Sequence, residues 1–453
     1  MKGLYISAIK KSSGKSTISV AIARILANLQ YKVITFKKGP DYIDPMWLAK
    51  ACINECYNLD FFYHKNFLED FFYMKANSAD FAIVEGNHGL FDDMGIRGRK
   101  SNAELAKRLK LPVLLVIDVS EFGRTIVPII LGIKSFDKNL TIKGLILNKI
   151  QNQRHEMKLL KLIKAYINIP VYGLIPENNS IKIEQRHLGI SSCMSECEME
   201  EKINNVAIAI EPYIDIKGII DKAFLTINKK SYKPISSERR KIVKKAPENL
   251  TVGIFFDRAF NFYYSNNIDL IKKYSKKIIY VSPLSNEKLP DVDFLYIGGG
   301  FPELFAEALE KNYIFKEDLL KKIENGVPVY AECGGLIYLV HELIYKGKSY
   351  KMLGALHAKA KFQEKPVAHG YTILRRSNKL SRKLPEFPTY LKGHEFHHFY
   401  LDELAHYEFA YKVLRGKGIK DGFDGIIYKN ILATFSHIYD SEENSLFISF
   451  FSR

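Results

Sequence analysis

Two short turns in this sequence hold side chains with chemistry in them. The first is Ser12-Ser13-Gly14-Lys15-Ser16-Thr17, set between a short apolar run and a stretch with helical spacing. A loop at such a junction points backbone N–H groups at an anion, and the helix N-terminus adds partial positive charge. Gly14 lets the backbone approach a phosphate, Lys15 can reach β- and γ-phosphates, and Ser16 can ligate Mg²⁺, with Ser13 and Thr17 completing the cradle. The strict pattern Gly-x-x-x-x-Gly-Lys-[Ser/Thr] is not met, because its first glycine falls on Ile9. The second turn lies in Val327-Pro328-Val329-Tyr330-Ala331-Glu332-Cys333-Gly334-Gly335-Leu336, which reads as a buried strand, a sharp turn and a helix. A thiol on that elbow is exposed to substrate, the helix N-terminus is expected to lower its pKa, and the Gly334 N–H can help hold an oxyanion.

Each turn needs partners. For the first, Lys37-Lys38-Gly39-Pro40-Asp41-Tyr42-Ile43-Asp44-Pro45 and Val84-Glu85-Gly86-Asn87-His88-Gly89-Leu90-Phe91-Asp92 follow strand-like runs. Asp41 and Glu85 are expected to join Ser16 at a Mg²⁺ site, since that ion takes hard oxygen ligands. The competing reading has Asp41 and Asp44 capping the helix near Pro45. His88 reads as structural. For the second turn, a thiolate nucleophile needs a histidine base. His437 is one candidate, and the cluster Gly393-His394-Glu395-Phe396-His397-His398 supplies others. The residues alone leave that choice open. Gly298-Gly299-Gly300, ending another apolar run, is a second source of free N–H groups for an oxyanion or a carboxylate.

The elements that must position these turns follow from the apolar runs. Leu4–Ala8, Val33–Phe36, Phe81–Val84, Val113–Ile117 and Leu145–Leu147 read as strands buried on both faces, and Ser16–Leu29 as a helix. The pattern predicts an α/β domain with a doubly wound parallel sheet. A second series follows at Val252–Phe256, Ile278–Val281, Phe294–Ile297 and Val327–Ala331, with strand-like pieces at Leu432–Phe435 and Leu446–Phe451. The Lys/Ser/Pro-rich stretch between the series gives expected bounds of 1–227 for the first domain, 228–249 for a linker and 250–453 for the second domain.

Composition bounds the function classes. At 453 residues the chain exceeds one hydrophobic core, and 47% hydrophobic with 26% charged residues suits a soluble globular protein. No run approaches the ~18 to 20 apolar residues of a membrane span, and the N-terminus lacks a signal peptide, so a cytoplasmic protein is expected. The net charge of +17 is spread as lysine along the chain. It therefore reads as solvated surface that also attracts an anionic substrate, not as a nucleic-acid interface. Five cysteines include the pairs Cys52/Cys56 and Cys193/Cys197, without a Cys-x-x-Cys spacing. They read as incidental thiols, Cys333 apart.

Taken together, these segments resemble the cobyrinic acid a,c-diamide synthase family. The carriers are Gly39–Pro45, Glu85-Gly86 with Gly89–Asp92, Ala103-Glu104-Leu105-Ala106, Arg186-His187-Leu188-Gly189, Gly298–Leu304, Ala331–Gly335 and Gly393–His397. The resemblance runs almost end to end. It implies a P-loop, dethiobiotin synthetase-like amidoligase domain followed by a flavodoxin-like class I glutamine amidotransferase domain. It further implies cobalamin biosynthesis, with ATP and Mg²⁺ used to phosphorylate a substrate carboxylate and glutamine-derived ammonia attacking the acyl phosphate, at the a and c acetates in turn. Carried over, Lys15 and Ser16 hold phosphate and metal, and Asp41, Glu85, Asp44 and Asp92 match metal or substrate positions. Cys333 matches the nucleophile, His437 its activating histidine, and Gly299, Gly300 and Gly334 the oxyanion or glutamine site. The partners implied are ATP, glutamine and an anionic tetrapyrrole, with a homodimer left open. The pattern is broken at Ile9–Ser12, at the doubled Lys37-Lys38, and at Ile438-Tyr439, where many relatives have glutamate two residues after the histidine. The lysine-bearing loops also resemble a siroheme-amidating branch, and nickel-sirohydrochlorin is a further alternative. A rival from another class is a P-loop ATPase switch of the partitioning type, with its second domain used for binding.

Overall fold

A computed structural model describes residues 1–178, 194–226, 249–378 and 387–451. Contacts divide the chain into two compact units, Met1–Ser237 and Glu238–Arg453. The expected linker, apart from Asn249, falls outside the described residues, as do Arg186–Gly189 and Cys193.

In the first unit the apolar runs pair side by side. They form β1 (Lys2–Ala8), β2 (Val33–Lys38), β3 (Cys56–Leu59), β4 (Phe81–Glu85), β5 (Val113–Asp118), β6 (Ile142–Ile150) and β7 (Val171–Pro176). Their order is β3-β2-β4-β1-β5-β6-β7, and every one of these pairings is parallel. A short β8 (Leu225–Thr226) runs antiparallel beside β1. Lys37, Glu85, Asp118 and Asn148 extend the strands beyond the apolar runs, and all lie toward the carboxyl ends, where open α/β sheets bind ligands. The helix Lys15–Asn28 buries Ile18 through Ala27.

The second unit begins with the same logic. β9 (Thr251–Phe255), β10 (Lys277–Val281), β11 (Phe294–Ile297), β12 (Val329–Glu332) and, much later in the chain, β21 (Ile431–Thr434) form a parallel core ordered β10-β9-β11-β12-β21. Numbered among themselves these strands run 2-1-3-4-5, the flavodoxin-like order. The sheet continues antiparallel through β20 (Phe423–Tyr428), β19 (Glu408–Arg415), β16 (Ala368–Arg376), β17 (Tyr390–His397) and β22 (His437–Ile438). A four-stranded sheet of β13 (Val340–Tyr345), β14 (Lys348–Lys351), β15 (Leu356–Phe362) and β18 (Phe399–Asp402) packs into the same unit's core.

Two expected elements differ. The strand expected at Val327–Ala331 begins at Val329, since Pro328 has no N–H for the ladder. Leu446–Phe451 is a helix, not a strand, and all six residues are buried. A short apolar run carries no period that separates the two states. Its caps decide: Asp440 accepts from the Leu446 and Phe447 amides, and Ser445 Oγ accepts from Ile448. No helix among the described residues is long and apolar enough to cross a membrane.

Candidate active sites

The first turn forms a loop held from two sides. Gly14 takes φ +85°, a conformation that glycine adopts without penalty. Its missing side chain leaves room for Asn148, whose amide nitrogen a Cβ at Gly14 would strike. Asn148, from β6, donates to the Ser13 carbonyl at 2.9 Å, and Ser13 Oγ donates to the Lys10 carbonyl at 2.9 Å. Thr17 follows, half-buried in the first helical turn. Ser16 Oγ donates to Glu85 Oε1 at 2.7 Å and lies 3.3 Å from Asp44 Oδ2. The same two carboxylate oxygens enclose Lys37, whose Nζ is 2.5 Å from Asp44 and 2.6 Å from Glu85.

Electrostatics explain why so much charge is tolerated here. Burial alone would push the Lys37 pKa down, but Asp44 and Glu85 override it and raise it well above the ordinary value. Burial works to raise Asp44, and Lys37 reverses that, holding the carboxyl below its usual range. Lys15, 4.0 Å from Glu85, is lowered by burial first and by Lys37 second. Lys38, next along β2, donates to Asn87 Oδ1 and is lowered by burial to about 8.

The geometry redistributes the acidic residues. Asp41 does not reach Ser16 through any of the hydrogen bonds it makes among the described residues. Its Oδ1 accepts the amides of Ile43 and Asp44, at 2.9 and 3.1 Å, at the start of the helix Ile43–Cys52. Asp44, from the first turn of that helix, points instead at Ser16 and Lys37. The capping reading therefore fits Asp41, and Asp44 is the one of the two that faces Ser16. Asp92 closes the exposed turn after β4 by accepting from the Gly89 amide at 2.8 Å, and His88 stands exposed in that turn at φ +43°.

Mg²⁺ would find hard oxygens here, beside the Lys37 ammonium that pairs with two of them. Ser16 Oγ, Asp44 Oδ2 and Glu85 Oε1 converge, and the second Glu85 oxygen is buried without a hydrogen-bond partner. No group of three or more His, Cys, Asp or Glu side chains among the described residues forms a metal cage.

The second turn is strained as its residues suggest. Cys333 adopts φ +46°, ψ −99° between β12 and the helix Gly334–Leu339. Its amide donates to the Thr434 carbonyl of β21 at 2.7 Å, and the Gly334 N–H bonds to the sulfur. A methyl placed on Gly334 would come within 2.9 Å of the Gly300 amide nitrogen, so the two glycine turns abut. A methyl on Gly299 would strike the His437 ring. Cys333, His437, Gly299, Gly300 and Gly334 are thus brought together. The expected lowering of the thiol is not observed: burial first, then the neighbouring Glu303 carboxylate, hold Cys333 well above the usual thiol range. A six-residue helix does not offset that desolvation.

Both candidate histidine groups lie here. His394 of β17 sits opposite His437 of β22 in the antiparallel ladder. His397 stacks on Phe435 at 3.9 Å, and its Nδ1 bonds to the Phe399 carbonyl at 2.7 Å. Burial lowers His437 to about 3, His394 to about 3 and His397 to about 4. His437 Nδ1 lies 3.8 Å from Glu332 Oε2. Sequence reasoning looked for that carboxylate after the histidine and missed Glu332, which directly precedes the nucleophile. It also missed Lys37, Asn148 and Asn102, whose amide pins the turn after β4 through Asn87 and Gly89. Their common signal was a polar residue ending or flanking an apolar run.

Comparison with known proteins follows the same division. Residues 4–190 match the CobQ/CobB/MinD/ParA nucleotide binding domain, and residues 251–445 the CobB/CobQ-like glutamine amidotransferase domain. The class is a nucleotide-binding domain joined to a glutamine amidotransferase domain, which sets aside a switch ATPase whose second half only binds. Cobyrinate a,c-diamide synthase of Magnetococcus marinus is 37% identical, covering 96% of this chain and 93% of its own. The synthase of Archaeoglobus fulgidus is 34% identical over 98% and 95%, and that of Picrophilus torridus 38% over 97% and 96%. The chain belongs to the cobyrinate a,c-diamide synthase family.

Proposed function

We propose that this chain uses ATP and glutamine to convert the a and c acetate carboxylates of cobyrinate into amides. The observation that carries this reading is the end-to-end relation to the named synthases, which spans the phosphate loop and the cysteine elbow in one chain. A cytoplasmic location accords with such biosynthetic chemistry.

In the first unit, a substrate carboxylate oxygen attacks the γ-phosphorus of ATP and ADP leaves. The Gly14 loop and Lys15 hold the phosphates and offset the charge that spreads over the transferring group. Ser16, Asp44 and Glu85 would hold Mg²⁺, which supplies further neutralisation of that charge when bound. Asp92, in the turn after β4, would meet the substrate. Ammonia then attacks the acyl carbon, and phosphate leaves with the amide formed. In the second unit, Cys333 gives its proton to His437 and attacks the glutamine carboxamide. The Gly334 amide, with the turn at Gly299 and Gly300, faces the developing oxyanion. Ammonia leaves, and water hydrolyses the thioester to glutamate.

The test is ATP- and glutamine-dependent turnover with cobyrinic acid, siroheme and nickel-sirohydrochlorin side by side, read by product mass. Two carboxyl-to-carboxamide conversions on cobyrinic acid are expected. Turnover confined to another ring would move the substrate, and no amide on any of them would overturn the reading.

A further inference from the structure

We propose that Glu332 is the positioning residue for His437, replacing the carboxylate that many related amidotransferases carry two residues after the histidine. This rests on the roles proposed above for Cys333 and His437. The usual position is closed: Ile438 and Tyr439 follow the histidine, and Asp440 is occupied by the Leu446 and Phe447 amides and Ser445. The other acidic groups around the elbow are committed elsewhere. Asp424 of β20 accepts from the Phe435 and Ser436 amides and Ser436 Oγ. Glu395 of β17 accepts from the Lys417 and Gly418 amides. Glu303, after the Gly298–Gly300 turn, acts on the thiol, which Glu332 and Asp424 also raise more weakly. Glu332 alone among them comes within ion-pair distance of His437, at 3.8 Å.

Glu332 is also built to carry charge when required. It is 1% exposed, yet Tyr296 OH donates to Oε2 at 2.7 Å, Tyr330 OH to Oε1 at 2.7 Å and the Ile438 amide to Oε1 at 2.8 Å. Those donors fix the carboxylate while the Ile438 bond ties it to the residue beside the histidine. Burial raises Glu332 to about 7, with Asp440 adding to the rise, so the ionised form is held in reserve. Burial is what chiefly opposes a positive charge on His437. A nearby anion is what an imidazolium needs in that setting. When His437 takes the Cys333 proton, Glu332 balances the new charge at Nδ1 and keeps Nε2 as the base. The imidazolium then returns the proton to the departing ammonia.

The experiment compares Glu332→Gln, Glu332→Asp, Tyr330→Phe and His437→Ala in the full chain. It reads glutaminase kcat and KM, the pH dependence of Cys333 alkylation by iodoacetamide, and ammonia-dependent amidation as a check on folding. Glu332→Gln should lower kcat about 10²- to 10⁴-fold with KM for glutamine little changed. Loss of the ion pair with His437 should move the alkylation inflection up, against the weaker repulsion that Glu332 itself exerts on the thiolate, and Glu332→Asp should recover part of both effects. Tyr330→Phe, which keeps the ring, removes a donor to the charged form and should shift the acid limb of glutaminase to higher pH. An unshifted alkylation profile in Glu332→Gln, or a rise in KM at constant kcat, would overturn the proposal. If Glu332→Gln does not fold, an unmoved acid limb in Tyr330→Phe would overturn it. Glutaminase surviving in His437→Ala would instead sink the assignment of His437 itself.

Discussion

Lys37 and Glu332 both lie almost wholly buried at the carboxyl end of a parallel strand, and the protein treats them in opposite ways. Around Lys37, two carboxylates and a serine hydroxyl compensate burial, and the lysine stays charged. Around Glu332, the histidine is pushed down and the thiol and carboxyl are pushed up, so every group tends to its neutral form. The difference matches what each turn must meet. A phosphate loop receives a highly charged ligand, and charges placed in advance need no reorganisation when it arrives. The carboxamide that reacts at the elbow is uncharged, and a thiolate formed before it binds would be exposed to oxidation and stray electrophiles. Burial is shared by the two sites, while polarity is set by which partners were buried with the group.

The largest expected effect separates the two regions outright. Cys333→Ala should abolish glutamine-dependent amidation and leave ammonia-dependent amidation intact. Lys15→Ala or Glu85→Gln should stop amidation from either nitrogen source while glutamate release persists. Measuring glutamate and amide in each variant, with and without ammonium, checks both, and equal loss of the two activities in all variants would break the division.

A second effect concerns stability. Lys37→Met leaves Asp44 and Glu85 buried without their cation and should cost about 3–5 kcal/mol in denaturant unfolding. The matched change at the elbow, Tyr330→Phe, removes one donor and should cost about 1–3 kcal/mol.

These contrasts depend on residues that were unevenly visible in the sequence. Both turns, the parallel strands that end in them and the helix after Gly14 were legible, because nearly continuous apolar runs and glycine-bearing turns have few structural solutions. The partners were less legible. Lys37 and Glu332 each close a run of strand residues, and nothing in one sequence tells which distant side chains will surround them. Asp41 and Asp44 lie three apart, so either could cap or face the loop; helical geometry, which places Asp44 inside the first turn, made the choice. The helix Leu446–Phe451 was misread because only its caps distinguish it from a strand. The strands β13 to β20 were missed altogether, their alternating patterns being short and interrupted.

A third prediction sharpens the contrast through pH. The folded pKa of His397, about 4, lies below its unfolded value of about 6.5. Its contribution is therefore intact above pH 6.5 and declines as pH falls toward 4, where only the unfolded chain takes the proton. His397→Phe keeps a ring against Phe435 and should flatten the acid loss of stability in that window by about 1.4 kcal/mol per pH unit. Parallel slopes in the two proteins would show that His397 is not held neutral. The smallest expected effect belongs to Asp41→Ala, which removes a helix cap at a cost of about 0.5–2 kcal/mol and should leave nucleotide affinity near normal. A loss of affinity comparable to that of Asp44→Asn would return Asp41 to the metal.

The central strand β21 has a consequence for how the chain comes to life on the ribosome. It pairs directly with β12, the strand that ends in Glu332, yet about a hundred residues are synthesised between them. The Cys333 amide is anchored to the Thr434 carbonyl, and Asn267, near the start of this unit, grips the Ile438 carbonyl and the Asp440 amide. A nascent chain that already contains the thiol therefore still lacks its histidine, its anchoring strand and the capped helix behind them. The elbow cannot take up the arrangement described above until those last segments emerge and insert, by which time the residues of the phosphate loop are long since made. With the roles proposed for Cys333 and His437, order of synthesis alone keeps an unfinished chain from releasing ammonia with no machinery to use it.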